Sequence, residues 1–170
     1  MVYFSGFSLK EEQALFSEYL IDTAFSVAGF SYGAQKAFEY VYETKERVDR
    51  LVLISPAYFQ EATEAFKKTQ LKHFSQNSEA YIEKFLENSV SPSQFDLSTY
   101  VHAGEKEELE ALLFYVWDKE KLKEILDRGT VVEVFLGAKD KIIDSTLTLD
   151  FFQSETTVYL FKDAGHSLMK

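Results

Sequence analysis

Short apolar runs and longer amphipathic stretches alternate along the chain, which predicts strands followed by helices. The strand candidates are Val2–Ser5, Ala24–Ala28, Arg50–Ser55, Val131–Leu136 and Thr157–Phe161. Helical spacing marks Lys10–Leu20, Ala34–Tyr40 and Ser145–Phe152. Because short apolar strands separated by helices are typical of βαβ units, the pattern predicts an α/β fold with a mostly parallel sheet of five strands.

The region between the third and fourth strand candidates has a different pattern. Glu61–Gln76 and Glu105–Asp127 are charged and aromatic stretches with helical spacing throughout, and no strand candidate interrupts them. An insertion of about seventy residues is longer than loops normally run. We therefore predict one domain, with an α/β core formed by residues 1–57 and 129–170 and a helical lid formed by residues 58–128.

Composition narrows the classes of function. The net charge of -10 argues against nonspecific binding to nucleic acid, which needs a basic face. The absence of cysteine excludes disulfides and thiolate metal ligands, and it fits a reducing compartment. Residues Met1–Leu9 contain no basic segment and too short an apolar run for a signal peptide, and the sequence contains no transmembrane run, so we expect a cytoplasmic protein that does not enter a membrane. The three scattered histidines and the glycine spacing predict neither a metal nor a phosphate-binding cofactor.

The most informative motif is G-x-S-x-G, formed by residues 29–33 between a strand candidate and a helix candidate. Glycines on both sides permit the sharp strand-to-helix turn, called a nucleophile elbow, that exposes a reactive serine. This context makes Ser31 a candidate nucleophile. The alternative is an ordinary serine in a tight turn.

A serine nucleophile needs a base and a group that orients the base. His166 follows the fifth strand candidate, whereas His73 and His102 fall in the predicted lid. Asp140 follows the fourth strand candidate. Because catalytic groups of open α/β sheets gather at the carboxyl ends of strands, the serine, Asp140 and His166 are expected to converge. Asp144 remains an alternative acid, although its position before a helix also suits an N-cap.

The chain order serine, acid, histidine, with G-F-S-Y-G, G-A-K-D and A-G-H each after a strand candidate, resembles the α/β-hydrolase superfamily. The segments V-Y-F-S-G-F, S-V-A-G-F-S-Y-G-A, L-V-L-I-S-P-A and F-K-D-A-G-H resemble, more closely, the BioV-type pimeloyl-ACP methyl ester carboxylesterases of biotin synthesis. The resemblance implies hydrolysis of a methyl ester on a pimeloyl chain that is attached to acyl carrier protein (ACP).

The resemblance also implies an oxyanion hole made of two backbone N–H groups. One is expected from Tyr32, which follows the candidate nucleophile. The second is assigned to Phe7, in the loop after the first strand candidate. This loop departs from the superfamily pattern, because Ser5 precedes Gly6 where many members have a histidine.

A basic interval in the predicted lid suggests a partner. Lys67, Lys68 and Lys72 lie within residues 65–78, which contain no acidic residue. The resemblance implies that these lysines dock the acidic helix of ACP, while the alternative is a solvated helix face. Several lid aromatics could line an acyl-chain pocket or form the core of the lid. They are Phe59, Phe66, Phe74, Phe85, Phe114 and Trp117.

Besides hydrolysis of this methyl ester, the sequence is compatible with two other classes of function. The same three residues could serve a generalist esterase or an acyl thioesterase, since fold alone does not choose the substrate. A protein of another class, a hydrolase-fold binder without catalytic activity, is the third possibility, and the complete serine, acid and histidine set argues against it.

Overall fold

The computed structural model describes residues 1–169, and its centre is a five-stranded sheet in the order β1-β2-β3-β4-β5. Every neighbouring pair of strands is parallel. The strands are β1 (Val2–Phe4), β2 (Ser26–Phe30), β3 (Arg50–Ile54), β4 (Val131–Gly137) and β5 (Thr157–Phe161). The predicted α/β architecture with five parallel strands is confirmed.

Six α-helices surround this sheet in the described part of the chain. They are α1 (Tyr32–Glu43), α2 (Glu64–Gln76), α3 (Ser78–Val90), α4 (Lys106–Phe114), α5 (Lys119–Asp127) and α6 (Ser145–Phe152). The four helices α2 to α5 all lie between β3 and β4 in the chain, in the region predicted as the lid.

The stretch Glu105–Asp127, predicted as one helix, is two. Helix α4 ends at Phe114, and α5 begins after Asp118, whose carboxylate accepts hydrogen bonds from the N–H groups of Glu120 and Lys121. An N-cap of this kind stabilises a new helix start, and it competes with continuation of the preceding helix.

Successive side chains of the central strands point to opposite faces of the sheet, so they pack into two separate apolar layers. Leu51 and Leu53 of β3 belong to the larger layer, which also contains buried residues of α1, α4, α5 and α6. Val52 and Ile54 face the opposite layer, where non-helical segments supply most of the cover. The central strands β2 and β3 are therefore buried on both faces, as their continuous apolar sequences predicted, whereas edge strand β5 is largely exposed.

The expected helix over Lys10–Leu20 is wrong in extent. Only Glu12–Phe16 forms a short 3₁₀ helix, and Glu11 before it adopts a left-handed φ of 61° that an α-helix cannot include. Phe16 is fully buried and its ring lies 4.8 Å from the ring of Phe30. Tertiary contacts therefore override the helical spacing of this segment.

Buried polar side chains fasten the α4–α5 region to the core. The side-chain amide of Gln35, on α1, donates to the carbonyls of Ala57 and Leu112 at 2.8 and 3.0 Å. The indole N–H of Trp117 also donates to the Ala57 carbonyl, at 2.9 Å. These bonds fix the segment after β3, directly before the predicted lid, against the helix that follows Ser31.

Candidate active site

Ser31 occupies the sharp turn between β2 and α1. Its backbone has φ of 54° and ψ of -114°, a conformation that costs a non-glycine residue about 1–3 kcal/mol. A Cβ atom at Gly29 would overlap the carbonyl of Gly33, and a Cβ atom at Gly33 would overlap the carbonyl of Phe4. Both glycines of the motif are therefore required by close backbone approach.

The side chains of Ser31, His166 and Asp140 form one hydrogen-bonded chain. His166 Nε2 lies 2.8 Å from Ser31 Oγ, and His166 Nδ1 lies 2.6 Å from Asp140 Oδ2. In the arrangement that base catalysis requires, the serine hydroxyl donates to Nε2 and the Nδ1–H group donates to the carboxylate. Ser31 is 1% exposed and His166 is fully buried. The structure thus brings together the three residues that the sequence selected.

The two candidate acids have different partners. Asp140 contacts His166 with one carboxylate oxygen, and its other oxygen accepts from the N–H groups of Ile142 and Ile143 at 2.7 and 3.0 Å. Asp144 instead caps α6, accepting from the N–H groups of Thr146 and Leu147 at 2.9 and 3.1 Å. The geometry favours Asp140 as the partner of the imidazole.

Contacts between loops hold the acid and the imidazole together. The N–H of Lys139 donates to the carbonyl of Ala164 at 2.9 Å, which joins the loop after β4 to the loop after β5. Ser55, directly after β3, donates its hydroxyl to the carbonyl of His166 at 2.6 Å. Sequence reasoning missed Ser55, and its only signal was a serine at the carboxyl end of a strand.

Comparison with solved structures identifies the fold. The chain is similar to an esterase (EaEST) from Exiguobacterium antarcticum, with a TM-score of 0.57 and 12% identity over 91% of this chain and 63% of the esterase. It is similar to BioG from Haemophilus influenzae, with a TM-score of 0.60 and 12% identity over 98% of this chain and 87% of BioG. A hydrolase from Oleispira antarctica gives a TM-score of 0.63 and 16% identity over 92% of this chain and 63% of the hydrolase.

The chain has the α/β-hydrolase fold. It spans less than two thirds of the length of the esterase from Exiguobacterium antarcticum. No protein-family model matches it, and no curated protein sequence matches it.

Two backbone N–H groups were predicted to form an oxyanion hole, those of Tyr32 and Phe7. Tyr32 is the first residue of α1, so its N–H has no acceptor within the helix. In the loop after β1, the Gly6 N–H is already used, because it donates to Glu12 Oε1 at 2.8 Å. The Phe7 N–H donates to no residue of the described chain. The predicted pair, Tyr32 and Phe7, remains the candidate.

A cavity of about 520 Å³ lies between α2, α3, α4 and the segment after Asp140. Three of the six lid aromatics, Phe59, Phe66 and Phe85, line it, and no acidic residue does. Its other lining residues include Gln70, His73, Tyr81, Lys84, Leu112, Lys141 and Ile142. Phe74 and Trp117 instead belong to the buried apolar layer.

The three candidate docking lysines lie in different surroundings. Lys67 is only 8% exposed, and its Nζ lies 5.3 Å from the centre of the Phe114 ring. Burial over an aromatic ring removes Lys67 from any docking surface, so that part of the expectation is corrected. Lys68 is exposed and pairs with Glu64 at 2.7 Å, and Lys72 is exposed.

The other two histidines lie in the region predicted as the lid. His73, on α2, lines the cavity, and His102 donates its backbone N–H to the carbonyl of Ser8. Within residues 1–169, no three histidine, aspartate or glutamate side chains are grouped in a way that could hold a metal ion. Among the same residues, no helix combines the length and apolar character needed to cross a membrane.

Proposed function

We propose that this protein is a serine carboxylesterase, with Ser31 as nucleophile, His166 as general base and Asp140 as the group that orients the imidazole. The observation that carries the proposal is the hydrogen-bonded chain from Ser31 to Asp140, formed at the carboxyl ends of the strands behind a strained elbow. Convergence of a serine, a histidine and an acid in this order is the arrangement that activates a hydroxyl for attack on an acyl carbon.

The reaction follows from that geometry. As Ser31 Oγ attacks the ester carbonyl carbon, its proton passes to His166 Nε2. The carbonyl oxygen becomes an oxyanion, which the N–H groups of Tyr32 and Phe7 stabilise by about 3–4 kcal/mol per donor. Collapse of the intermediate breaks the bond to the alcohol oxygen, and the alcohol leaves with the proton of His166. Water, deprotonated by the same imidazole, then cleaves the acyl-enzyme.

Within this class, we propose the methyl ester of pimeloyl-ACP as the substrate, with pimeloyl-ACP and methanol as products. The sequence resemblance to BioV-type enzymes motivates this choice. The cavity is compatible with this choice, because its aromatic walls suit a chain of methylene groups and no acidic residue lines it. Its lining includes Lys141 and Lys84, which is paired with Glu87. Ser31, Asp140 and His166 do not line it, and its link to them is Ile142, whose N–H donates to Asp140. A phosphopantetheine arm, which carries a negative charge, is compatible with such a lining.

The ACP partner is proposed to bind at α2. Lys72 is exposed and is adjacent in the chain to His73, which lines the cavity. Lys68 lies one helical turn before Lys72, so both can face the same partner. In a chain of net charge -10, a local basic surface is needed to attract an acidic protein. Lys67 has no part in this surface.

Intact mass of a purified methyl-pimeloyl ACP after incubation with the protein tests the proposal. Loss of one methylene equivalent, with Ser31→Ala as the inactive control, is the expected result. Loss of the whole acyl group would instead identify a thioesterase. No change in mass, together with hydrolysis of small free esters, would leave a generalist esterase.

A further inference from the structure

Glu12 is a buried acid that the proposed mechanism does not use. Its side chain is fully buried beside the loop after β1. Oε1 accepts hydrogen bonds from the Gly6 N–H at 2.8 Å and from the Tyr3 hydroxyl at 3.1 Å, and Oε2 has no partner among the described residues. Because burial of a polar atom without a partner costs free energy, Glu12 is retained at a cost in stability.

Tyr3 keeps the proton that this bond needs. Burial, and then the nearby Glu12 carboxylate, raise the pKa of Tyr3 far above its ordinary value. The hydroxyl is therefore a donor throughout the working range of an enzyme, and it donates to Oε1. Two donors thus fix one oxygen of Glu12.

The loop that Glu12 holds is also restricted from the side of the elbow. A Cβ atom at Gly6 would lie 2.8 Å from the ring of Phe30, the residue before Ser31. Gly6 is therefore bonded to the Glu12 carboxylate and is close to the Phe30 ring, and both contacts limit movement of the loop. The next N–H along the chain is that of Phe7.

We infer that Glu12 is a positioning residue, which orients the Ser5–Phe7 loop so that the Phe7 N–H meets the oxyanion. The inference rests on the proposed esterase function. Oxyanion donors act only when they are correctly placed before the charge develops, so displacement of the loop weakens stabilisation of the transition state more than binding of the ester.

Two conservative substitutions of Glu12 separate the effect of side-chain length from the effect of charge. Glu12→Gln keeps an oxygen acceptor at the same distance from the backbone but removes the charge. Glu12→Asp keeps the charge but withdraws the acceptor from Gly6 by one methylene group. Glu18→Asp is the matched control, because Glu18 is exposed on the same segment.

The experiment measures kcat and KM with p-nitrophenyl butyrate and inhibition by a trifluoromethyl ketone, which forms a tetrahedral adduct. We expect Glu12→Asp to lower kcat about 30-fold, less than the loss of a whole oxyanion donor, with KM changed by no more than about twofold. Affinity for the ketone falls by the same factor. Glu12→Gln stays within about threefold of the wild type and Glu18→Asp equals it.

Three results would overturn the inference. The first is an unchanged kcat in Glu12→Asp. The second is a large loss of kcat in Glu12→Gln while Glu12→Asp keeps its kcat. The third is a loss of kcat in Glu12→Asp without a parallel loss of affinity for the ketone. If Glu12→Asp does not fold, Tyr3→Phe, which removes one of the two bonds to Oε1, must lower kcat and ketone affinity together. An inactive wild type would overturn the proposed function itself, whereas an active wild type with unaffected variants would overturn only the role of Glu12.

Discussion

Asp140 Oδ2 lies 2.6 Å from His166 Nδ1, and both side chains are fully buried. The second oxygen of Asp140 is held by the N–H groups of Ile142 and Ile143. The carboxylate therefore cannot rotate away from the imidazole without breaking two further hydrogen bonds. In a buried site such a contact fixes both the orientation and the tautomer of the base.

Asp140→Asn is expected to lower kcat about 10⁴-fold, because an amide at this position no longer enforces the tautomer in which Nε2 is the acceptor. Steady-state hydrolysis of p-nitrophenyl butyrate measures this loss. The matched variant is Asp144→Ala, which removes the cap of α6 and should cost about 1 kcal/mol of stability while leaving kcat unchanged. A larger loss of kcat in Asp144→Ala than in Asp140→Asn would reverse the assignment.

Ser31→Gly is expected to be more stable than Ser31→Ala by about 1 kcal/mol, because glycine adopts a positive φ without strain. Ser31 has φ of 54°, and alanine at this position keeps the strain of the turn. Urea unfolding of the two inactive variants measures the difference. Equal stability would mean that the elbow stores no strain.

Gly33→Ala is expected to lower the free energy of unfolding by about 2–3 kcal/mol, since its Cβ would overlap the carbonyl of Phe4 and push β1 away from α1. Gly129→Ala is the control. Gly129 has φ of +87°, and a Cβ atom there would meet no other atom within 4 Å, so only backbone strain of about 1 kcal/mol applies. A smaller loss at position 33 than at position 129 would contradict the close packing of the elbow.

Charge reversal at the two exposed lysines of α2, Lys68→Glu with Lys72→Glu, is expected to raise KM for methyl-pimeloyl ACP about tenfold. KM for p-nitrophenyl butyrate should not change, because a small ester does not need the docking surface. Lys45→Glu with Lys123→Glu changes the net charge equally at exposed positions elsewhere and serves as the control. An equal rise in KM for both substrates, or an equal effect of the control pair, would remove the docking claim.

Much of the fold could be predicted from the sequence because the determining signals are local. Helix α6, Ser145–Phe152, and strand β5, Thr157–Phe161, have the predicted bounds. Strands β1, β3 and β4 each differ from prediction by one residue at the carboxyl end, and β2 begins and ends two residues later than predicted, at Ser26 and Phe30. Buried parallel strands are continuous apolar runs, so their positions need no knowledge of tertiary contacts.

The features that escaped prediction depend on contacts between distant segments. Glu12 looked like one charge of an amphipathic helix, and its bonds to Gly6 and Tyr3 appear only once the chain is folded. The burial of Lys67 could not be inferred from helical spacing alone, because it depends on which neighbours cover the face. The choice of Asp140 over Asp144, in contrast, could be made from the sequence, because Asp144 stands directly before a helix candidate as an N-cap.

The measurement that tests the central claim most directly is covalent labelling by a fluorophosphonate, followed by peptide mapping of the modified residue. The proposed mechanism predicts a single adduct on Ser31, complete loss of esterase activity in proportion to labelling, and no adduct in Ser31→Ala. A labelled residue other than Ser31, or an unlabelled wild-type protein with full esterase activity, would contradict it. An unlabelled protein without activity would indicate that this α/β-hydrolase fold serves binding alone.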